Sequence, residues 1–237
     1  SIVDSNSTVD WNIVETNHNL TMDNTSSLPA GKNDNRLLLA LIVGSNELTL
    51  DGDNVSGTGN GTTITHYLEL DGVLDLEGES QLIQTEGSDL ATNSSGYLER
   101  DQQGTQNSFT YNYWSSPVSK VNSSVNNLAF NISEVLRDGT DAANPVSIDF
   151  SDPYTYADGT LSTPIKISNY WMWKFVNLGN AYANWQFIGS TSNLNATVGY
   201  TMKGSCGASA ISAKQNYVFR GKPNNVLNGA AELIHTT

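Results

Sequence analysis

Apolar positions along this chain fall in short bursts of four to seven residues, cut by Gly, Asn and Asp. They do not recur at helical spacing, so the pattern predicts strands. The clearest stretch runs from Leu37 to Gly87. Leu37 to Val43 reads as a buried run closed by Gly44. Leu48-Thr49-Leu50 then precedes Asp51-Gly52, Leu68-Glu69-Leu70 precedes Asp71-Gly72, and Leu74-Asp75-Leu76 precedes Glu77-Gly78, before Leu82-Ile83-Gln84 leads to Gly87. A Leu-x-Leu triplet followed by a Gly corner is what a β-solenoid rung needs, because each rung buries its apolar side only against its neighbours. The competing reading is an antiparallel meander in which turns such as Asp71-Gly72 close hairpins.

The texture changes further along. Residues 101–110 are polar and read as a linker. After them come most of the aromatics, with strands expected at 109–114, 145–150, 164–176, 182–188, 198–203 and 215–220. Strands of this number with no helices between them predict a β-sandwich. One short helix is expected at 131–137, where Ile132, Val135 and Leu136 share a face and Asp138-Gly139 stops it. The predicted fold is thus all-β: a β-solenoid, residues 1–99, followed by a β-sandwich, residues 100–237.

Charge sharpens that boundary. The chain has 24 acidic against 11 basic residues. Residues 1–99 hold 16 of those acids with only Lys32 and Arg36, whereas residues 100–237 are close to neutral. A net charge of -13 repels phosphate backbones and argues against a nucleic-acid partner. The lone Cys206 allows no intrachain disulfide, and it sits in a small-residue turn with no histidine nearby in sequence. Asn-x-Ser/Thr triplets such as those at Asn24, Asn60 and Asn131 match what an Asn-, Ser- and Thr-rich composition gives by chance. No signal peptide, lipidation motif or membrane-spanning apolar run is legible, so membrane insertion is not expected. The abrupt start at Ser1 reads as a mature form or a fragment.

Candidate chemistry is sparse. His18, His66 and His235 are scattered, and neither GxSxG nor HExxH occurs. Asp71, Asp75, Glu77 and Glu79 could pair as a glycosidase would require. In a rung, however, Asp75 and Glu77 flank Leu76 and point to solvent. The chain is therefore not expected to be an enzyme. Calcium is the one cofactor the residues suggest, with oxygen ligands at Asp51 and Asp53 around a Gly bend and at Asp149, Asp152 and Asp158 in a Pro-Tyr-rich loop. Ordinary Asp-Gly turns are the plainer reading. For ligand binding, Tyr170, Trp171, Trp173 and Trp185 stand out. Along a strand, Tyr170 and Met172 would share one face and Trp171 and Trp173 the other. One face must be core, while the other could stack on sugar rings.

Three ordered segments carry a resemblance. They are Tyr111-Asn112-Tyr113-Trp114-Ser115-Ser116-Pro117-Val118, Gly199-Tyr200-Thr201-Met202-Lys203-Gly204, and Tyr217 through Asn225, preceded by Ser80-Gln81-Leu82-Ile83-Gln84. Together, over roughly residues 65–225, they resemble a module of large cell-surface and secreted adhesin-like proteins of Bacteroidetes exported by the type IX secretion system. The resemblance implies an extracellular, non-catalytic module that displays or binds. Its partners would be glycans, other surface proteins, or the export machinery during secretion, and it has no catalytic residues to carry over. The family usually continues past the last segment and carries a C-terminal sorting domain, which is not legible here. A cargo fragment and a polysaccharide-active β-helix enzyme remain the rival readings.

Overall fold

The computed structural model describes residues 12–23, 35–53, 56–157, 161–176 and 184–225. The protein is all-β. The chain divides into two compact units, one holding 1–100, 121–127 and 221–237, the other 101–120 and 128–220. No helix among the described residues is long and apolar enough to cross a membrane.

The first unit is built from β1 (Ile13–Thr16), β2 (Leu20–Met22), β3 (Asn35–Val43), β4 (Glu47–Leu50), the two-residue strands β5 (Gly52–Asp53) and β6 (Thr58–Gly59), β7 (Gly61–Leu70), β8 (Val73–Leu76), β9 (Gln81–Gln84), β10 (Asp89–Leu90) and the start of β11 (Tyr97–Thr105). β1, β3 and β7 pair in parallel, and β9 and β10 pair in parallel along β7. β2, β4, β8 and β11 form a second parallel ladder. Asp71-Gly72 is therefore a corner between two sheets, not a hairpin turn.

In-register stacking explains the Leu-x-Leu text. Leu20, Leu48, Leu74 and Leu98 occupy one column, and Val14, Leu41, Leu68 and Leu90 another. The Leu48, Leu74, Leu41, Leu68 and Leu90 side chains are buried. Each strand turns alternate residues inward, so the run at 37–43 is not buried throughout: Leu41 and Val43 are enclosed, whereas Leu37 is exposed. Asp75, between the buried Leu74 and Leu76, stands opposite Thr49 and Glu99, of which Glu99 is buried. Asn60 is buried and its Nδ2 donates to the carbonyls of Met22 at 2.9 Å and Asp51 at 3.0 Å, so this Asn-Gly-Thr triplet serves the fold.

The second unit contains the rest of β11, β12 (Tyr111–Ser115), β13 (Val118–Ser119), α1 (Ile132–Val135), β14 (Leu136–Asp138), β15 (Val146–Ser147), β16 (Asp149–Ser151), β17 (Lys166–Ser168), β18 (Trp173–Phe175), β19 (Trp185–Phe187), β20 (Gly199–Lys203) and most of β21 (Lys214–Pro223). The segment expected to be a linker continues strand β11 to Thr105. Its polar residues are held by side-chain pairs: Gln103 Nε2 donates to Asn216 Oδ1 at 2.6 Å, and Asn216 Nδ2 donates to Asp101 at 3.2 Å. The helix begins where expected, with Asn131 and Glu134 forming a capping box. It ends at Val135 because Leu136 turns extended and pairs with Phe219.

The core of this unit gathers Phe130, Ile132, Leu136, Met172, Met202 and Phe219. Trp114 meets Tyr217 and Phe219 edge-on, with ring centroids 4.9 Å and 5.9 Å away. Gly104 makes room for that indole, since a Cβ there would lie 2.6 Å from the Trp114 ring.

Burial sets an alkaline limit on this unit. Tyr200 and Tyr217 are enclosed, and desolvation pushes both hydroxyls well above their ordinary value of 10.0. The folded state thus holds these protons more tightly than the unfolded chain. Their contribution is complete below pH 10 and is lost as pH rises from 10 through the folded values. The unfolding midpoint of this unit is expected to fall steeply above pH 10. Tyr200→Phe should flatten that fall while changing stability at pH 7 by less than about 1 kcal/mol. An unaltered alkaline limb in thermal melts of Tyr200→Phe would refute the assignment.

Candidate functional site

Three segments share one pattern: Tyr111-Asn112-Tyr113, Trp173-Lys174-Phe175 and Trp185-Gln186-Phe187 each place a polar residue between two aromatics. In a strand, successive side chains take opposite faces, so each triplet sends both rings to the same side. The second unit assembles all three in one antiparallel sheet, in the order β12-β20-β18-β19.

Register puts the rings on a common face. Across the sheet, Tyr113 stands opposite Thr201, Thr201 opposite Trp173, and Trp173 opposite Phe187. On adjacent rows Tyr111 stands opposite Lys203, and Phe175 opposite Trp185. The reverse face of β12 and β20 carries Asn112, Trp114, Tyr200 and Met202 and packs inward. The aromatic face is open: Tyr113 is 69% exposed, Phe187 57% and Phe175 44%. A large exposed patch of rings on a sheet is an interaction surface unless a neighbour covers it.

The rings are braced against each other. Trp173 and Phe187 meet edge-on at 5.6 Å, and Phe175 and Trp185 at 5.2 Å. Between the walls made by β12 and β18, strand β20 places Gly199, the buried Thr201 and Lys203 on this side. The hydroxyl of Thr201 faces the carbonyl of Trp173 at 3.4 Å.

At one end of the face sits a second cluster. The Lys203 ammonium lies 3.5 Å from the Trp171 ring centroid and 5.4 Å from that of Tyr111. Tyr170 packs edge-on against Trp171 at 4.7 Å, and the Trp171 indole donates to the Tyr154 carbonyl at 2.8 Å.

The expected pairing of faces within 170–173 is corrected by the structure. Residues Asn169–Trp171 form a turn of 3-10 helix, opened by Ser168 Oγ accepting from the Tyr170 amide at 3.2 Å. The strand expected over 164–176 is therefore broken into β17 and β18. Met172 is fully buried while Tyr170 is exposed, so these two do not share a face. Trp173 and Trp185 both lie on the open aromatic face, and Trp171 and Tyr170 border it beside Lys203.

Among the described residues, the candidate calcium ligands are not gathered into a group. Asp51 and Asp53 belong to the first unit, and the Asp53 carboxylate accepts from the Ser56 amide at 2.7 Å. Asp149 accepts from the Tyr156 hydroxyl, and Asp152 from Asn169 Nδ2 at 3.1 Å. Desolvation and the hydrogen bond to Asp149 push the Tyr156 hydroxyl up to about 12. Asp158 lies outside the described residues. Among the described residues no three His, Cys, Asp or Glu side chains cluster as a metal site would need.

Tyr113, Phe175, Phe187 and Lys203 join the site without having been singled out from the sequence. The aromatic-polar-aromatic triplets were the available signal. Comparisons with protein-family models, with curated proteins and with solved structures return no match.

Proposed function

We propose that this chain is a non-catalytic extracellular surface module whose second unit binds glycans on the aromatic face of its four-stranded sheet. The observation that carries this reading is the row Tyr113, Trp173 and Phe187, three rings aligned across the strands on an open face, with the buried Thr201 between the first two. Pyranose rings present flat C–H faces that stack on aromatic side chains, while hydroxyls at their edges take hydrogen bonds. Three interstrand steps of ~4.8 Å give the row a span of about 14 Å, enough for a short oligosaccharide.

Within the same reading, the first unit is a β-solenoid and the second a β-sandwich. Parallel, in-register Leu columns with a Gly at each corner support the former. The packing of β12 against β21 through Trp114 supports the latter. Acids that alternate with buried leucines make the first unit a soluble, repulsive spacer. Export by the type IX route, the adhesin-like class and the surface location follow from the resemblance of the three segments and form part of the proposal. A single-stranded nucleic-acid platform would use similar rings, but it requires a basic groove along the backbone. This face offers one lysine, in a chain of net charge -13.

Glycan-array binding followed by titration tests the proposal. Trp173→Ala is expected to weaken the best ligand by roughly tenfold or more, the order of one stacked ring lost. Unchanged affinity in Trp173→Ala, with wild-type binding present, would place the ligand elsewhere and refute the site.

A further inference from the structure

The glycan reading leaves open which part of a glycan the face takes. A sugar chain lying on this sheet could run along the strands or across them. Along the strands the face ends at the cluster of Tyr170, Trp171 and Lys203, where the backbone leaves the sheet for the 3-10 turn Asn169–Trp171. Across the strands the aromatic row runs from edge to edge. β12 and β19 are the outermost strands of the sheet, and each carries one ring of the row, Tyr113 on the first and Phe187 on the second.

Exposure rises towards both edges. Tyr113 and Phe187 are the exposed members of the row, whereas Trp173 between them is half-buried and Thr201 is buried. The rings most open to a ligand therefore stand at the two ends of the row. An edge ring that open leaves a sugar chain free to continue past it. Reading a chain end needs the opposite arrangement, a concave site with polar groups set for the terminal hydroxyls. The next row has the same direction, because Phe175 and Trp185 pair across the same two strands as Trp173 and Phe187.

Resting on the glycan reading above, we infer that the face takes the interior of a polysaccharide chain lying across the strands from Tyr113 to Phe187, and that it reads neither end of that chain. Several copies of the protein then occupy one long polymer.

Isothermal titration tests this with size series, from disaccharide to hexasaccharide, of cello-, xylo-, manno- and laminari-oligosaccharides and their parent polysaccharides, or of the best array ligand where that is another glycan. Affinity is expected to climb by roughly tenfold or more from disaccharide to hexasaccharide, the order of one further ring engaged. Borohydride reduction of the terminal sugar should leave the affinity of the hexasaccharide within about twofold. On polysaccharides of defined length, the number of protein copies bound per chain should grow with that length. Tyr113→Ala and Phe187→Ala should each weaken the hexasaccharide several-fold, with melting midpoints that match wild type. Binding lost on reduction, one copy per chain whatever its length, or an unchanged hexasaccharide affinity in either edge variant overturns the interior-chain inference and leaves the glycan reading intact. Failure of wild type to bind any of these probes or any glycan on an array overturns both.

Discussion

Gly72→Ala is expected to destabilise the first unit by about 3 kcal/mol or more, the upper end of what an overpacked site costs. The reason lies in how the corners stack. A Cβ on Gly72 would lie 2.0 Å from the carbonyl oxygens of both Gly44 and Asn46. On the next corner, a Cβ on Gly96 would lie 2.0 Å from the Gly72 carbonyl. The obstructing atoms are backbone, held in the parallel ladders on both sides, so they cannot swing aside as a side chain tip would. Relief requires the corner to open, which pulls Leu70 and Leu74 out of their columns. Gly87→Ala is the matched control, because its nearest neighbour, the Thr65 carbonyl oxygen, is 3.4 Å away, and it should stay within about 0.5 kcal/mol of wild type. Denaturant unfolding of the whole chain reads both. A Gly72→Ala variant as stable as Gly87→Ala would mean that the corners do not stack as described.

That corner glycine shows why part of the fold was legible. A Leu-x-Leu triplet encodes a strand with one face buried, and a Gly after it encodes a backbone that passes close to another. Both signals are local, so the triplets around Asp51-Gly52, Asp71-Gly72 and Glu77-Gly78 could be read one at a time. The direction of pairing is not local. Only the register of Leu48 with Leu74, and of Leu74 with Leu98, distinguishes parallel stacking from hairpins.

Residues 101–105 failed as a linker for a related reason. Hydropathy scores Asp101 and Gln103 as loop-like, whereas Asn216, more than a hundred residues away, satisfies both from a neighbouring strand. At the candidate site, Trp173 and Trp185 could be named because tryptophan is conspicuous. Tyr113, Phe175 and Phe187 were passed over because nothing in the sequence says which side of an aromatic strand is core. The 3-10 turn at Asn169–Trp171 is equally hidden. It depends on one Ser168 hydroxyl, and it shifts the period of every residue before Met172 relative to those after it.

The same non-locality conceals the most consequential polar residue of the first unit. Lys222→Met is expected to cost about 3 kcal/mol, and to release the 121–127 segment to proteolysis. Lys222 is almost fully enclosed, and its ammonium donates to three carbonyls, those of Thr92 at 2.7 Å, Asn122 at 3.2 Å and Val125 at 3.3 Å. Those acceptors lie on two separate stretches of chain, so one side chain ties 121–127 to the turn after β10. Asn126 reinforces the tie by donating to the Leu90 carbonyl at 2.7 Å, and Asn127 and Asn225 exchange backbone-side-chain bonds. Methionine fills much of the same volume but leaves three carbonyls without their donor. Hydrogen bonds to a charged group contribute about 1.5–3 kcal/mol each, and the relief from burying a charge offsets part of their loss. Burial also gives this residue a pH signature opposite to that of the tyrosines. Desolvation lowers the Lys222 amine from its ordinary 10.5, so the unfolded chain holds this proton more tightly than the folded one. Its share of stability therefore rises with pH up to 10.5. The deficit of Lys222→Met relative to wild type should widen as pH climbs from neutral towards that value. A deficit that is constant or shrinks over that range, or a 121–127 segment as resistant to thermolysin as in wild type, would show that the lysine does not hold the segment.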